Sequence, residues 1–144
     1  MKTIIAALAL FITGAAMAGG PKPVTDLNAA LAKAKAEGKM LFVQMGRENC
    51  GNCQALKAMI KSNQVRLSDS KFVYADVNVD DSATNRLFSA KFDVKGNVLP
   101  FVAIASPDGT KLVGRSGYGS AKEFDDLIRE AGKQSRKPAA VEKK

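Results

Sequence analysis

The stretch "RENCGNCQAL", Arg47–Leu56, decides the fold and holds both cysteines of this 144-residue chain, three positions apart. The apolar run Met40–Met45 comes just before it and is typical of a buried strand. Within and after the motif, Cys53, Leu56 and Ile60 recur at helical spacing, which predicts a helix that begins at the motif. The sequence therefore places two cysteines where a buried strand turns into a helix.

This position gives the two sulfurs different properties. Free N–H groups and the positive end of the helix dipole stabilise a thiolate at Cys50, in the first turn. Cys53 shares the apolar stripe of the helix and is predicted to be buried. We therefore expect Cys50 to attack a substrate disulfide and Cys53 to resolve the mixed disulfide. Gly51 leaves room for a partner chain, and we assign Asn52 to the same substrate-binding surface.

A pair of cysteines at this spacing has two other possible uses. A metal site needs four ligands as a rule, whereas this chain offers two cysteines and no histidine, so a metal would require a dimer that shares one ion. A purely structural disulfide would close a very short loop and constrain the unfolded chain little. We expect no metal and no bound cofactor. A non-catalytic binding module with a structural disulfide is the alternative function.

Alternating helix and strand patterns follow one another along the chain. The predicted elements are a helix from Asp26 to Gly38, a strand at Met40–Met45, a helix from Cys50 to Ser62, a strand at Phe72–Val79, a helix within 80–92, a hairpin of Phe101–Ser106 with 110–116, and a helix from Ser120 that ends at Gly132. This order predicts an α/β domain whose central mixed β-sheet is flanked by helices on both faces. Parallel strands are expected in the middle and the hairpin at an antiparallel edge.

The first 18 residues are predicted to be a secretory signal peptide. Lys2 precedes an apolar run, Ile4–Ile12, and Ala16-Met17-Ala18 supplies the small residues read by a signal peptidase. A membrane anchor is the rival interpretation, but the run is shorter than the roughly 20 residues needed to span a bilayer. We expect an exported protein, periplasmic or secreted, where disulfides persist.

Composition limits the other partners. The formal net charge is +8 at pH 7, but the lysines are spread along the chain without the aromatic-basic clusters that bind nucleic acid. We therefore expect no nucleic-acid partner. The basic ending, residues 135–144, is predicted to be a disordered tail, which leaves residues 19–134 as one domain.

Together these features resemble the thioredoxin family. The likeness rests on the strand before "CGNC", the strand Phe72–Val79, the "LPF" tripeptide that enters the next strand, the segment "PDGTKLVGRSGY" and the closing helix, and it covers nearly all of residues 26–131. It implies a thioredoxin-like fold and a thiol-disulfide oxidoreductase that acts on protein thiols and disulfides. We expect a monomer served by a membrane-bound or soluble redox partner. The motif leaves reductase, oxidase and isomerase directions open.

The resemblance also assigns residues. It implies a cis peptide bond before Pro100, which would lie against the cysteines, and a Leu99 backbone that pairs with the substrate chain. The family's tryptophan before the first cysteine is replaced by Asn49. Its buried aspartate, which assists proton transfer at the resolving cysteine, is replaced by Gln44.

Two charged residues are possible modulators of the site. Glu48 flanks the cysteines and could influence partner choice or proton transfer, or it could be a solvated loop charge. Lys57 lies one turn beyond Cys53 and could favour its thiolate, or it could be a surface lysine.

Overall fold

A computed structural model describes residues 19–137, so the predicted signal peptide and residues 138–144 of the predicted tail lie outside the described residues. Its elements, in chain order, are α1 (Leu27–Glu37), β1 (Met40–Gly46), α2 (Gly51–Lys61), β2 (Phe72–Asn78), α3 (Ser82–Phe92), β3 (Phe101–Ala105), β4 (Lys111–Ser116) and α4 (Ala121–Gln134). The predicted order of elements is confirmed. Among residues 19–137, no helix is both long and apolar enough to cross a membrane.

The four strands form one mixed sheet in the order β2-β1-β3-β4. β1 and β2 are parallel, whereas β3 is antiparallel to both β1 and β4. The expectation of parallel strands in the middle was wrong, because the central pair β1–β3 is antiparallel. Phe101 pairs with Met45 near the end of β1. The chain therefore re-enters the sheet at the end where β2 leaves it, whereas parallel pairing needs a crossover to the opposite end.

Side chains that alternate along the strands divide the core between the two faces. Leu41 and Val43 of β1 pack on the face covered by α1 and α3. Phe42 of β1 packs on the other face, with α2 and α4. The predicted coverage of the sheet by helices on both faces is confirmed. Gln44 follows in alternation on the face of α2, the helix that carries the cysteines.

Most helix ends follow the predicted signals. Asp26 caps α1, and Gly38 ends that helix with φ +63°, a left-handed conformation that favours glycine. The capping box of Ser120 and Glu123 begins α4. The predicted end at Gly132 was wrong: the helix continues to Gln134, because Gly132 does not adopt a positive φ and the helical hydrogen bonds continue past it.

Candidate active site

The two cysteines lie at the junction of β1 and α2. Cys50 is the N-cap residue of α2, and its N–H donates to the carbonyl of Arg47, 3.2 Å away. The Cys53 N–H donates to the Cys50 Sγ at 3.2 Å. The two sulfurs form a disulfide, with the Cα atoms 5.2 Å apart. The spacing of the motif thus brings the sulfurs within bonding range.

Burial separates the two sulfurs in the predicted sense. Cys53 is fully buried, whereas Cys50 is partly exposed and Gly51 and Asn52 beside it are exposed. Gly46, at the end of β1, packs directly on Cys53: a Cβ on this glycine would lie 2.6 Å from the Cys53 Sγ. Cys50 is therefore partly exposed, whereas Cys53 is enclosed by the strand behind it.

The Leu99–Pro100 peptide bond is cis, as the resemblance implied. Phe101, the residue after the buried Pro100, pairs with Met45, and the next residue of β1, Gly46, packs on Cys53. Within residues 19–137, neither the N–H nor the C=O of Leu99 bonds to another backbone group. Leu99 therefore has free backbone groups directly before the cis proline.

Gln44 is fully buried and links two elements of the site. Its Nε2 donates to the Cys53 carbonyl at 2.9 Å, and its Oε1 accepts from the Tyr74 hydroxyl at 3.0 Å. Burial, and then the charge of Asp76, raise the pKa of Tyr74 above its ordinary value, so this hydroxyl stays protonated. The chain of hydrogen bonds holds the start of α2 against the sheet through neutral groups.

Lys57 forms an ion pair that the sequence analysis does not predict. Its Nζ lies 2.6 Å from the Oδ2 of Asp76, and their side chains are 34% and 15% exposed. Asp76 is the direct neighbour of Gln44 in the parallel β1–β2 pairing. Neither Tyr74 nor Asp76 was singled out from the sequence. The alternation of side chains along β2 puts Tyr74 and Asp76 on the same face of the sheet, and this pattern could have predicted that they lie together.

The loop between β1 and α2 carries the remaining charges. Glu48 and Arg47 are exposed, and Arg47 pairs with Asp80 at 3.0 Å. An open groove of about 220 Å³ lies beside this loop, and its lining includes Gly46, Arg47, Glu48, Lys57 and Asp76. Residues 19–137 contain no group of three or more Cys, Asp or Glu placed to hold a metal ion.

The chain is similar to proteins of a known family. A family model described as thioredoxin-like matches residues 22–107. No curated protein sequence matches the chain.

Two examples represent the solved structures that resemble the domain. One is a point mutant of thioredoxin from Halobacterium salinarum NRC-1, with 20% identity and a TM-score of 0.59 over 78% of this chain and 90% of that one. The other is a thioredoxin-like protein from Clostridium perfringens, with 16% identity and a TM-score of 0.62 over 87% of this chain and 92% of that one. These likenesses establish the fold, a mixed sheet between two helical layers.

Proposed function

The chain belongs to the thioredoxin-like family, and from that premise we propose that it is a thiol-disulfide oxidoreductase that exchanges disulfides with exported proteins. The family and the Cys50–Cys53 pair support a general oxidoreductase role. The observation that carries the specific proposal is the unequal burial of the two bonded sulfurs at the start of α2. A partly exposed sulfur can meet a client, and a buried one can resolve the product without being captured itself.

In the reduced protein, Cys50 is the attacking thiolate. The Cys53 N–H that donates to its sulfur and the N-terminal end of α2 favour the anion there. The thiolate attacks a client disulfide, one client sulfur leaves as a thiolate, and a mixed disulfide forms. Cys53 then attacks the Cys50 sulfur and releases the second client thiolate. Two electrons pass from the protein to the client, and the reverse sequence oxidises a client dithiol.

The client chain is proposed to lie along Leu99 and across the helix start. The unpaired backbone N–H and C=O of Leu99 suit an extended segment that adds a short strand beside Pro100. Gly51 and Asn52 are exposed next to the attacked sulfur, and Gly51 has no atom within 4 Å of the position of a Cβ. Both features leave space for a protein substrate.

The test compares two single cysteine variants in the exporting host. In Cys53→Ser the attacking sulfur remains without its resolving partner, so mixed disulfides with client proteins should accumulate and disappear on reduction. In Cys50→Ser the remaining sulfur is buried and should trap almost nothing. Equal trapping by both variants, or trapping by Cys50→Ser alone, would show that the roles are wrongly assigned.

The alternative is a binding module whose disulfide is structural. It predicts that neither variant traps clients and that the wild-type protein exchanges no faster than a simple dithiol. A turnover assay on a protein disulfide, with dithiothreitol at the same thiol concentration as the reference, separates the two functions.

We also propose that the protein is exported and works as a monomer with a separate redox partner. The support is the pattern of residues 1–18 and the use of a disulfide, which persists outside the cytosol. Mass spectrometry of the protein recovered from the periplasm or medium should find an N-terminus near Gly19. Recovery of the full-length chain from the cytosol alone would contradict export.

A further inference from the structure

Resolution by Cys53 requires that its thiol first lose a proton. A cysteine with an ordinary pKa of about 8.5 is mostly protonated at neutral pH, and burial disfavours the charged form further. Cys53 is fully buried. The Gln44 side chain is hydrogen-bonded to the backbone carbonyl of Cys53, but it is an amide and cannot take up a proton. Another group near Cys53 has to accept it.

Asp76 is the carboxylate that the sheet places beside Gln44. It pairs with Gln44 in the parallel register. It lies on the face of α2, because Lys57 of that helix reaches its Oδ2 at 2.6 Å. The Asp76 side chain is 15% exposed, so it is sheltered but still in contact with water.

One open groove is lined both by Asp76 and by Gly46, the residue that packs on the buried sulfur. Gly46, which touches the Cys53 Sγ, forms one part of its lining, and Asp76 and Lys57 form another. A volume of about 220 Å³ with several polar groups has the space and the partners that bridging water needs. Water in this groove reaches Asp76 and comes as far as Gly46, directly beside the Cys53 sulfur.

We propose that Asp76, held in place by Lys57, accepts the proton of the Cys53 thiol during resolution of the mixed disulfide. The Cys53 S–H bond breaks, the proton passes through water to the Asp76 carboxylate, and the Cys53 thiolate forms its bond to the Cys50 sulfur. The Cys50–client bond breaks and the client sulfur leaves with its electron pair. The electrons are supplied by the two protein thiols and received by the client. This inference rests on the proposed function.

Several charged or titratable groups surround Asp76. They are Lys57 and Lys61 from α2, Tyr74 from β2, Arg47 and Glu48 from the loop after β1, and Lys22 from the segment before α1. Glu48 is the rival proton acceptor, but it is exposed, so bulk water competes with the thiol for its carboxylate.

The experiment follows both chemical steps separately. Reduced protein is mixed with excess oxidised glutathione, and samples are quenched in acid at successive times. Intact-protein mass spectrometry then measures the fraction that carries the mixed disulfide and the fraction that carries the Cys50–Cys53 disulfide. In Asp76→Asn, capture by Cys50 should stay within about twofold of wild type, while resolution at pH 7 should be slower by about tenfold or more. The deficit should shrink as the pH rises, because hydroxide then removes the proton.

Three further variants make the result specific. Asp76→Glu keeps a carboxylate and should restore most of the resolving rate. Asp80→Asn removes a 58% exposed carboxylate that pairs with Arg47, and it should leave both steps unchanged. Asp76→Ser supplies a second neutral variant in case Asp76→Asn does not fold, which thermal unfolding checks.

The possible results separate this inference from the proposed function. Resolution at the wild-type rate in Asp76→Asn, a deficit that is constant with pH, or the same loss in Glu48→Gln instead would overturn the role of Asp76. If the wild-type protein formed neither glutathione adduct nor internal disulfide, the proposed function itself would be refuted.

Discussion

Replacing Gln44 by methionine should destabilise the protein, because it leaves the buried hydroxyl of Tyr74 without a hydrogen-bond acceptor. Methionine has a similar length and no polar hydrogen, so it fills the space of Gln44 but accepts no bond from Tyr74 and donates none to Cys53. The Tyr74 hydroxyl is buried and bonded to Gln44 at 3.0 Å. Its donor would be left without a partner, away from water.

The magnitude follows from the two lost bonds. A buried donor without a partner costs about 1–3 kcal/mol. The Cys53 carbonyl lies in the first turn of α2, where it accepts a helical bond as well, so losing the Gln44 donor adds at most about 1 kcal/mol. Because the side-chain volume is nearly conserved, the packing cost is small. We expect a loss of about 2 kcal/mol in the free energy of unfolding, or roughly 8 °C in Tm for a domain of this size.

Thermal and urea unfolding of the oxidised protein measure this loss, and a double-mutant cycle isolates its cause. Tyr74→Phe removes the donor as well, so Gln44→Met with Tyr74→Phe should be less destabilised than the sum of the single variants by about 1–2 kcal/mol. Tyr118→Phe changes a tyrosine that is 45% exposed and serves as the matched control. A loss below about 0.5 kcal/mol in Gln44→Met, or additive single variants, would refute the reasoning.

Four other substitutions have outcomes set by their local surroundings. Gly46→Ala puts a Cβ 2.6 Å from the Cys53 Sγ and should cost about 1–3 kcal/mol by overpacking, whereas Gly51→Ala meets nothing within 4 Å and should keep wild-type stability; similar unfolding curves for the two would contradict this. Gly132→Ala lies inside α4 with open space around it and should raise the free energy of unfolding by about 0.5–1 kcal/mol, so any loss would show that the glycine is needed. Hydrogen bonds from Thr84 lower the pKa of the α3 N-cap Asp81. Its charge therefore stabilises the fold fully above its unfolded pKa of about 3.9 and progressively less as the pH falls through the lower folded value. Asp81→Asn, which retains a capping side chain, should be less stable than wild type at pH 6 and equal to it near pH 2, and a gap that persists at pH 2 would argue against the charge.

The sequence by itself determined the elements and the place of the motif. Local signals suffice there: the Asp26 cap and Gly38 end bound α1, the apolar run Met40–Met45 forms a strand, and helical spacing continues from Cys53. These signals act over a few residues, so no distant contact can reverse them easily. The prediction failed at Gly132, because a glycine ends a helix only where its φ turns positive, and nothing in the residues near it requires that.

The tertiary structure alone decided what surrounds the buried sulfur. Asp76 lies 23 positions after Cys53 in the chain, but the parallel pairing of β1 and β2 sets it beside Gln44, and Lys57 then reaches it from α2. The direction of β3 likewise could not be predicted from the sequence, because it depends on the end of the sheet to which the chain returns after α3. Strand pairing joins segments far apart in sequence, and its register is fixed by the packing of the whole sheet rather than by any one stretch.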